Sequence, residues 1–118
     1  MQWNTATAAG AQWVQTFTLL DGEGTRMDLT GLVWGFVIRP GVTDITAPPL
    51  VEVTTTPGAQ GSISVDLTAA TVTVTLTPAA TTLLGKGARP HALWSQPGTA
   101  AATCWVAGTF NTQLVAAP

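Results

Sequence analysis

Charge is what this 118-residue sequence has least of: Asp, Glu, Lys and Arg together supply 8% of it, against about 25% in an ordinary globular domain. The four basic residues, Arg26, Arg39, Lys86 and Arg89, are scattered. No patch able to neutralise a row of phosphates can be built from them, so a nucleic-acid partner is not expected. Histidine and cysteine occur once each, as His91 and Cys104, and the six carboxylates are spread along the chain. Metal-assisted chemistry needs several such groups converging. Ser62, Ser64 and Ser95 carry no elbow motif that would pair one of them with His91 in a triad. Neither an enzyme nor a cofactor is expected.

A lone cysteine excludes an intrachain disulfide. Cys104, followed by Trp105 in a Thr/Val/Ala segment, is expected to be buried and inert. No apolar run reaches the roughly 18 residues of a membrane span, so no membrane partner is expected. The opening "MQWNTATAAG" has neither the basic nor the apolar region of a signal peptide, and neither Asn4 nor Asn111 starts an N-x-[ST] sequon. These features imply synthesis in a cytoplasm.

Threonine and alanine take the place of the missing charge, at 22 and 18 residues. Apolar residues make up 46% of the chain, enough for one core in one domain, and the opposite of a disordered composition. A poorly charged monomer tends to associate or precipitate. A surface of this kind is expected to be covered in the working state, which points to a component of an assembly.

Period-two alternation dominates the sequence and predicts strands. In "ATVTVTLTP" (70–78), Val72, Val74 and Leu76 fall on one face and threonines on the other. "WVQTFTLL" (13–20) aligns Trp13, Phe17 and Leu19; "VWGFVIR" (33–39) aligns Trp34, Phe36 and Ile38. "LVEVTT" (50–55) and "CWVAGTF" (104–110) continue the pattern, with turns at "DGEG" (21–24), "TPGAQG" (56–61) and "QPG" (96–98) and an irregular loop over 39–49. "PAATTLL" (78–84) predicts one short helix, with Thr77 as N-cap, Pro78 at the first helical position and Gly85 at the end.

About seven short strands at such spacing predict an all-β, antiparallel β-sandwich. Residues 1–10 form an N-terminal arm and 11–118 the domain. The expected core is Trp13, Phe17, Leu19, Leu29, Trp34, Phe36, Ile38, Val51, Val53, Ile63, Val72, Val74, Leu76, Leu83, Leu93, Cys104 and Val106.

In "DLTG", Asp28 and Thr30 suit an Asx or ST turn, Leu29 can plug the end of the sandwich, and Gly31 allows a backbone angle closed to other residues. "DGEGTRMD" (21–28) brings Asp21, Glu23 and Asp28 close in sequence without the ligand order of a calcium loop, so no metal is expected there. Because Pro90 cannot donate to a ladder, its strand is expected at an edge or bulged, and His91 is expected in an edge strand or loop. Trp3 lies before any convincing strand and either folds back on its own domain or docks on a neighbour. Trp94, beside the "SQPG" turn, is a second interface candidate. Val33 and Val37 are apolar on the face opposite Trp34 and Phe36, which suggests a covered sheet face.

The order Trp13, Phe17, Leu19, Asp21, Gly24, then Asp28-Leu29-Thr30-Gly31, then Ile38-Arg39, resembles small Ig-like β-sandwich domains of tailed bacteriophages. Glu52, Gly61-Ser62-Ile63, the Thr/Val strand 71–77 and the stretch from Leu83 to Gly87 follow in the same order, with Trp105 to Thr109 approximating the last strand. "GARPHALW" (87–94) departs from the pattern, with Arg89 and His91 where aromatics are usual and Ala92 in place of an aspartate. The resemblance implies a virion structural protein of the tail tip, baseplate or fibre-attachment region. It would act by packing against other virion proteins and copies of itself. A head decoration or head–tail connector protein is the alternative within that class. A carbohydrate-binding adhesion module, with Trp3 or Trp94 stacking on a sugar, is the alternative outside it.

Overall fold

Two β-sheets enclose one core, as the alternation predicts. The computed structural model describes residues 2–20, 23–41 and 48–114, and over these the order is β1 (Thr5–Ala8), β2 (Trp13–Thr18), β3 (Trp34–Ile38), β4 (Val51–Thr54), β5 (Gly61–Asp66), β6 (Thr71–Leu76), α1 (Pro78–Leu84), β7 (Gly87–Ser95) and β8 (Thr103–Gln113). One sheet has the order β1-β8-β7-β3-β4 and the other β2-β6-β5. The larger sheet buries Trp34, Phe36, Ile38, Val51, Val53, Leu93, Val106 and Phe110; the smaller buries Trp13, Phe17, Ile63, Val72, Val74 and Leu76. Trp13 carries contacts across the gap, stacked on Phe36 at 5.7 Å and edge-on to Phe110 at 5.0 Å.

Among the described residues the strands number eight, and one pair is parallel: β1 runs alongside β8, Thr5 opposite Phe110 through Ala8 opposite Gln113. All other pairings between strands are antiparallel. Residues 2–9 of the N-terminal segment are therefore tied into the larger sheet by a strand formed between residues far apart in sequence. The tight turn after β1, with Ala11 N–H donating to the Ala8 carbonyl, leads directly into the smaller sheet.

The short helix forms where its caps predict. The Thr77 hydroxyl accepts from Ala80 N–H, Pro78 occupies the first turn, and Gly85 closes the helix at φ 59°. Its phase differs from expectation. Ala80, Thr81 and Leu84 face the core while Leu83 is 56% exposed; one residue is a 100° turn on a helix, so only one of two adjacent leucines can point inward.

The "DLTG" turn matches its reading. Thr30 N–H donates to Asp28 Oδ1 at 3.0 Å, Leu29 is buried, and Gly31 takes φ +76°. Hydrogen bonds from the Thr30 side chain and backbone hold the Asp28 carboxyl below its ordinary pKa. Asp21 and part of the loop over 39–49 lie outside the described residues.

Three expectations about the C-terminal strands are corrected. Cys104 is exposed. The β7–β8 register shifts between Leu93 and Trp94, so that Leu93 faces Val106 but Trp94 faces Cys104. The extra residue, Trp105, breaks the alternation and turns Cys104 outward. Second, of the two forms expected for the Pro90 strand, β7 is not an edge, since it lies between β8 and β3, and its pairing with β8 is irregular at Leu93/Trp94. Pro90 is tolerated there because its carbonyl accepts from Arg39 N–H just past the end of β3, so the missing donor falls where the neighbouring ladder stops. Third, His91 is buried in the core.

Candidate functional site

Two of the sequence-predicted interface residues come together. On β3 and β7, Val37 pairs with Ala92 and Gly35 with Trp94, so Val37 and Trp94 are diagonal neighbours on the outer face of the larger sheet. Side chains opposite one another across an antiparallel pair share a face, and here that face is built from small residues. The turn after β7 folds back over it. Pro97 sits so close to Gly35 that a Cβ added there would lie 3.3 Å from Pro97 Cγ. Between this turn and β4 lies a concavity of about 660 Å³, floored by Val37, Ala92 and Trp94 and walled by Pro97, Pro49 and Pro90. Glu52 and Arg39 stand on its lining.

Val33 is 55% exposed but sits just before β3 and is not part of this lining. Its backbone holds the turn: Val33 N–H donates to Gln96 Oε1, and Gln96 N–H donates to the Val33 carbonyl. The concavity was not legible in the sequence because two of its wall residues, Pro49 and Pro97, come from loops that period-two reasoning leaves blank. The signal that could have found it is the glycine at 35 on an otherwise bulky strand, which marks a close approach of other chain atoms.

Trp3 is placed elsewhere, half-buried among aromatics of its own domain. Its ring lies 6.0 Å from Trp13, 5.2 Å from Phe17 and 5.8 Å from His91. Its backbone is anchored as firmly. Trp3 N–H donates to the Ala107 carbonyl, and the Trp3 carbonyl lies 2.7 Å from His91 Nε2. Next to it, Thr109 N–H donates to Asn4 Oδ1. Gly108 makes this possible, since a Cβ there would lie 2.1 Å from the Trp3 carbonyl oxygen.

His91 is the one titratable group in this aromatic nest. Phe36 and Phe110 pack on it at 5.5 and 6.3 Å, and its Nδ1 is buried without a partner. Burial lowers its pKa below the ordinary value, a shift the Trp3 carbonyl only partly opposes. The neutral ring, donating from Nε2 to Trp3, is the form the fold selects. The unfolded chain therefore takes up the proton first, and the stability tied to His91 is complete above about pH 6.5 and is lost as pH falls below it. The urea midpoint should drop between pH 7 and pH 5.5, by up to about 1.4 kcal/mol per pH unit of unfolding free energy, and H91Q should flatten that slope.

Arg89 is structural. Its Nε donates to the Leu84 carbonyl at the end of α1 and its Nη1 to the Pro40 carbonyl. Among the described residues, no group of three or more His, Cys, Asp or Glu could hold a metal ion, and no helix is long and apolar enough to cross a membrane. The class that fold and surface define is an all-β sandwich with a shallow apolar concavity on its larger sheet. The sequence matches no protein-family model and no curated protein.

Proposed function

We propose that the chain is a structural component of a tailed-phage virion, of the tail tip, baseplate or fibre-attachment region, and that it works by packing against neighbouring proteins. The observation that carries this reading is the outer concavity, where Val37, Ala92, Trp94 and three prolines form an apolar surface on a chain with 8% charged residues. Aromatic residues are enriched and lysine and glutamate depleted at the centres of protein interfaces, and a Trp beside a small-residue floor fits the anchor-and-pocket form of an interaction hot spot. The Thr-rich outer face of the smaller sheet, where Thr16 and Thr73 hydroxyls bond each other at 2.9 Å, adds a second neutral surface that costs little to desolvate.

The test is W94D and V37D, each placing a carboxylate in the concavity without touching the core. Both should keep the wild-type thermal transition within a few degrees and lose association with purified particles, or with the chain itself, by at least tenfold in affinity. Unchanged association would remove the concavity from the reading. A second reading is favoured by one feature, the presence of Glu52 and Arg39 on the same lining as Trp94: polar groups beside an aromatic platform suit a carbohydrate-binding module. Glycan binding that W94A abolishes, with particle association intact, would select that reading.

A further inference from the structure

We infer that residues 2–8 form an exchangeable strand, and that the slot on β8 which they fill is a docking site for the same segment of a second copy of this chain. The inference rests on the reading of the chain as an assembly component. The slot is built with unusual specificity: Gly108 leaves room for a crossing backbone carbonyl, Ala107 accepts the Trp3 N–H, Thr109 offers its N–H to Asn4, and His91 Nε2 meets the Trp3 carbonyl. The Trp3 ring fills a pocket bounded by Trp13, Phe17 and His91.

These contacts would be the same whether the strand comes from its own chain or from a neighbour. Exchange conserves them; its cost is association entropy, which falls when copies are held side by side, together with any loss of the hinge's bonds to the helix, Gly10 N–H to Thr81 Oγ1 and Thr81 Oγ1 to the Ala11 carbonyl. Two features favour the exchange. The strand is joined to the body by a tight turn at residues 9–12, with Gly10 at φ +87° and Ala11 bonded back to Ala8, and short closed hinges promote swapping because opening them releases the turn. The strand also contributes the one parallel pairing between strands among the described residues, at the edge of the larger sheet, so it can leave without parting any other described pair. Residues 2–12 carry no charge, so nothing repels one copy's segment from another's slot.

Ala6 and Asn111 are cross-strand partners and both are exposed. The full-length chain carrying A6C, N111C and C104A would be bridged with a short bis-maleimide across a range of protein concentrations, with each single-cysteine variant as the control for chance surface contacts. Oligomeric state would be followed in parallel by sedimentation. Exchange predicts that bridged dimers and larger species appear in step with multimer formation and exceed both controls. Bridged monomer alone, whether in multimers or in a chain that stays monomeric at every concentration, would overturn it. Multimers holding only internal bridges would leave the packing function standing and remove the exchange, so the two ideas fail separately.

Discussion

Replacing Trp13 by alanine should cost about 3–5 kcal/mol of unfolding free energy, enough to bring a domain of this size close to unfolding at room temperature. Trp13 is buried where the two sheets meet, between Phe36 and Phe110 of the larger sheet and the Trp3 ring of the N-terminal segment. Its indole Nε1–H also donates to Thr5 Oγ1 in β1, at 3.2 Å. Removing the ring opens a cavity at the centre of the sandwich and detaches a hydrogen bond to the edge strand in one step. W13F separates the two effects. It keeps most of the packing volume and loses the donor, and should cost about 1–2 kcal/mol. Urea denaturation followed by far-UV circular dichroism measures both, and a W13A loss under about 1.5 kcal/mol would show that the core has re-closed around the gap.

The second large effect is expected at Gly61. It opens β5 opposite Leu76, with φ +139°, a backbone angle L side chains rarely adopt. A Cβ there would lie 1.9 Å from the Thr75 carbonyl oxygen. The clash is with backbone, so no rotamer change relieves it, and β5 would have to part from β6 at its first pair. G61A should therefore destabilise by more than about 3 kcal/mol. G58A is the control, because a Cβ at Gly58 meets nothing within 4 Å, and it should change stability by less than about 1 kcal/mol. Equal effects at the two positions would mean that turn flexibility, not the close approach, governs this segment.

What the sequence made legible was local. The Asp28–Thr30 turn, the Thr77-Pro78 helix start and the Gly85 stop are each set by residues within a few positions of one another, and each forms as read. The alternation of Val72, Val74 and Leu76 placed a central strand correctly, because both faces of the pleat are sharply distinguished. What failed was set at a distance. The segment "TATA" has no large apolar residue to announce a strand, and β1 exists because β8 offers it a partner. The burial of His91 depends on the Trp3 carbonyl arriving from the other end of the chain. Cys104 was misplaced because a bulge, invisible to a strict period of two, adds one residue between it and Val106. Of the interface candidates, Val37 and Trp94 share a concavity through strand register that no local pattern encodes, while Trp3 is held in its own domain.

The pairing of β1 with β8 also governs the timing of folding. Thr5 meets Phe110, so the first strand made must wait for the last. During synthesis, at about 5–20 residues per second, residues 6–109 have to be made before this contact can close. Until then Trp13 and Phe17 lack the Trp3 ring beside them. Pairings of such wide sequence separation slow folding. The newborn chain should therefore pass through a state with β1 unattached, and that is when encounter with a sister molecule would matter most.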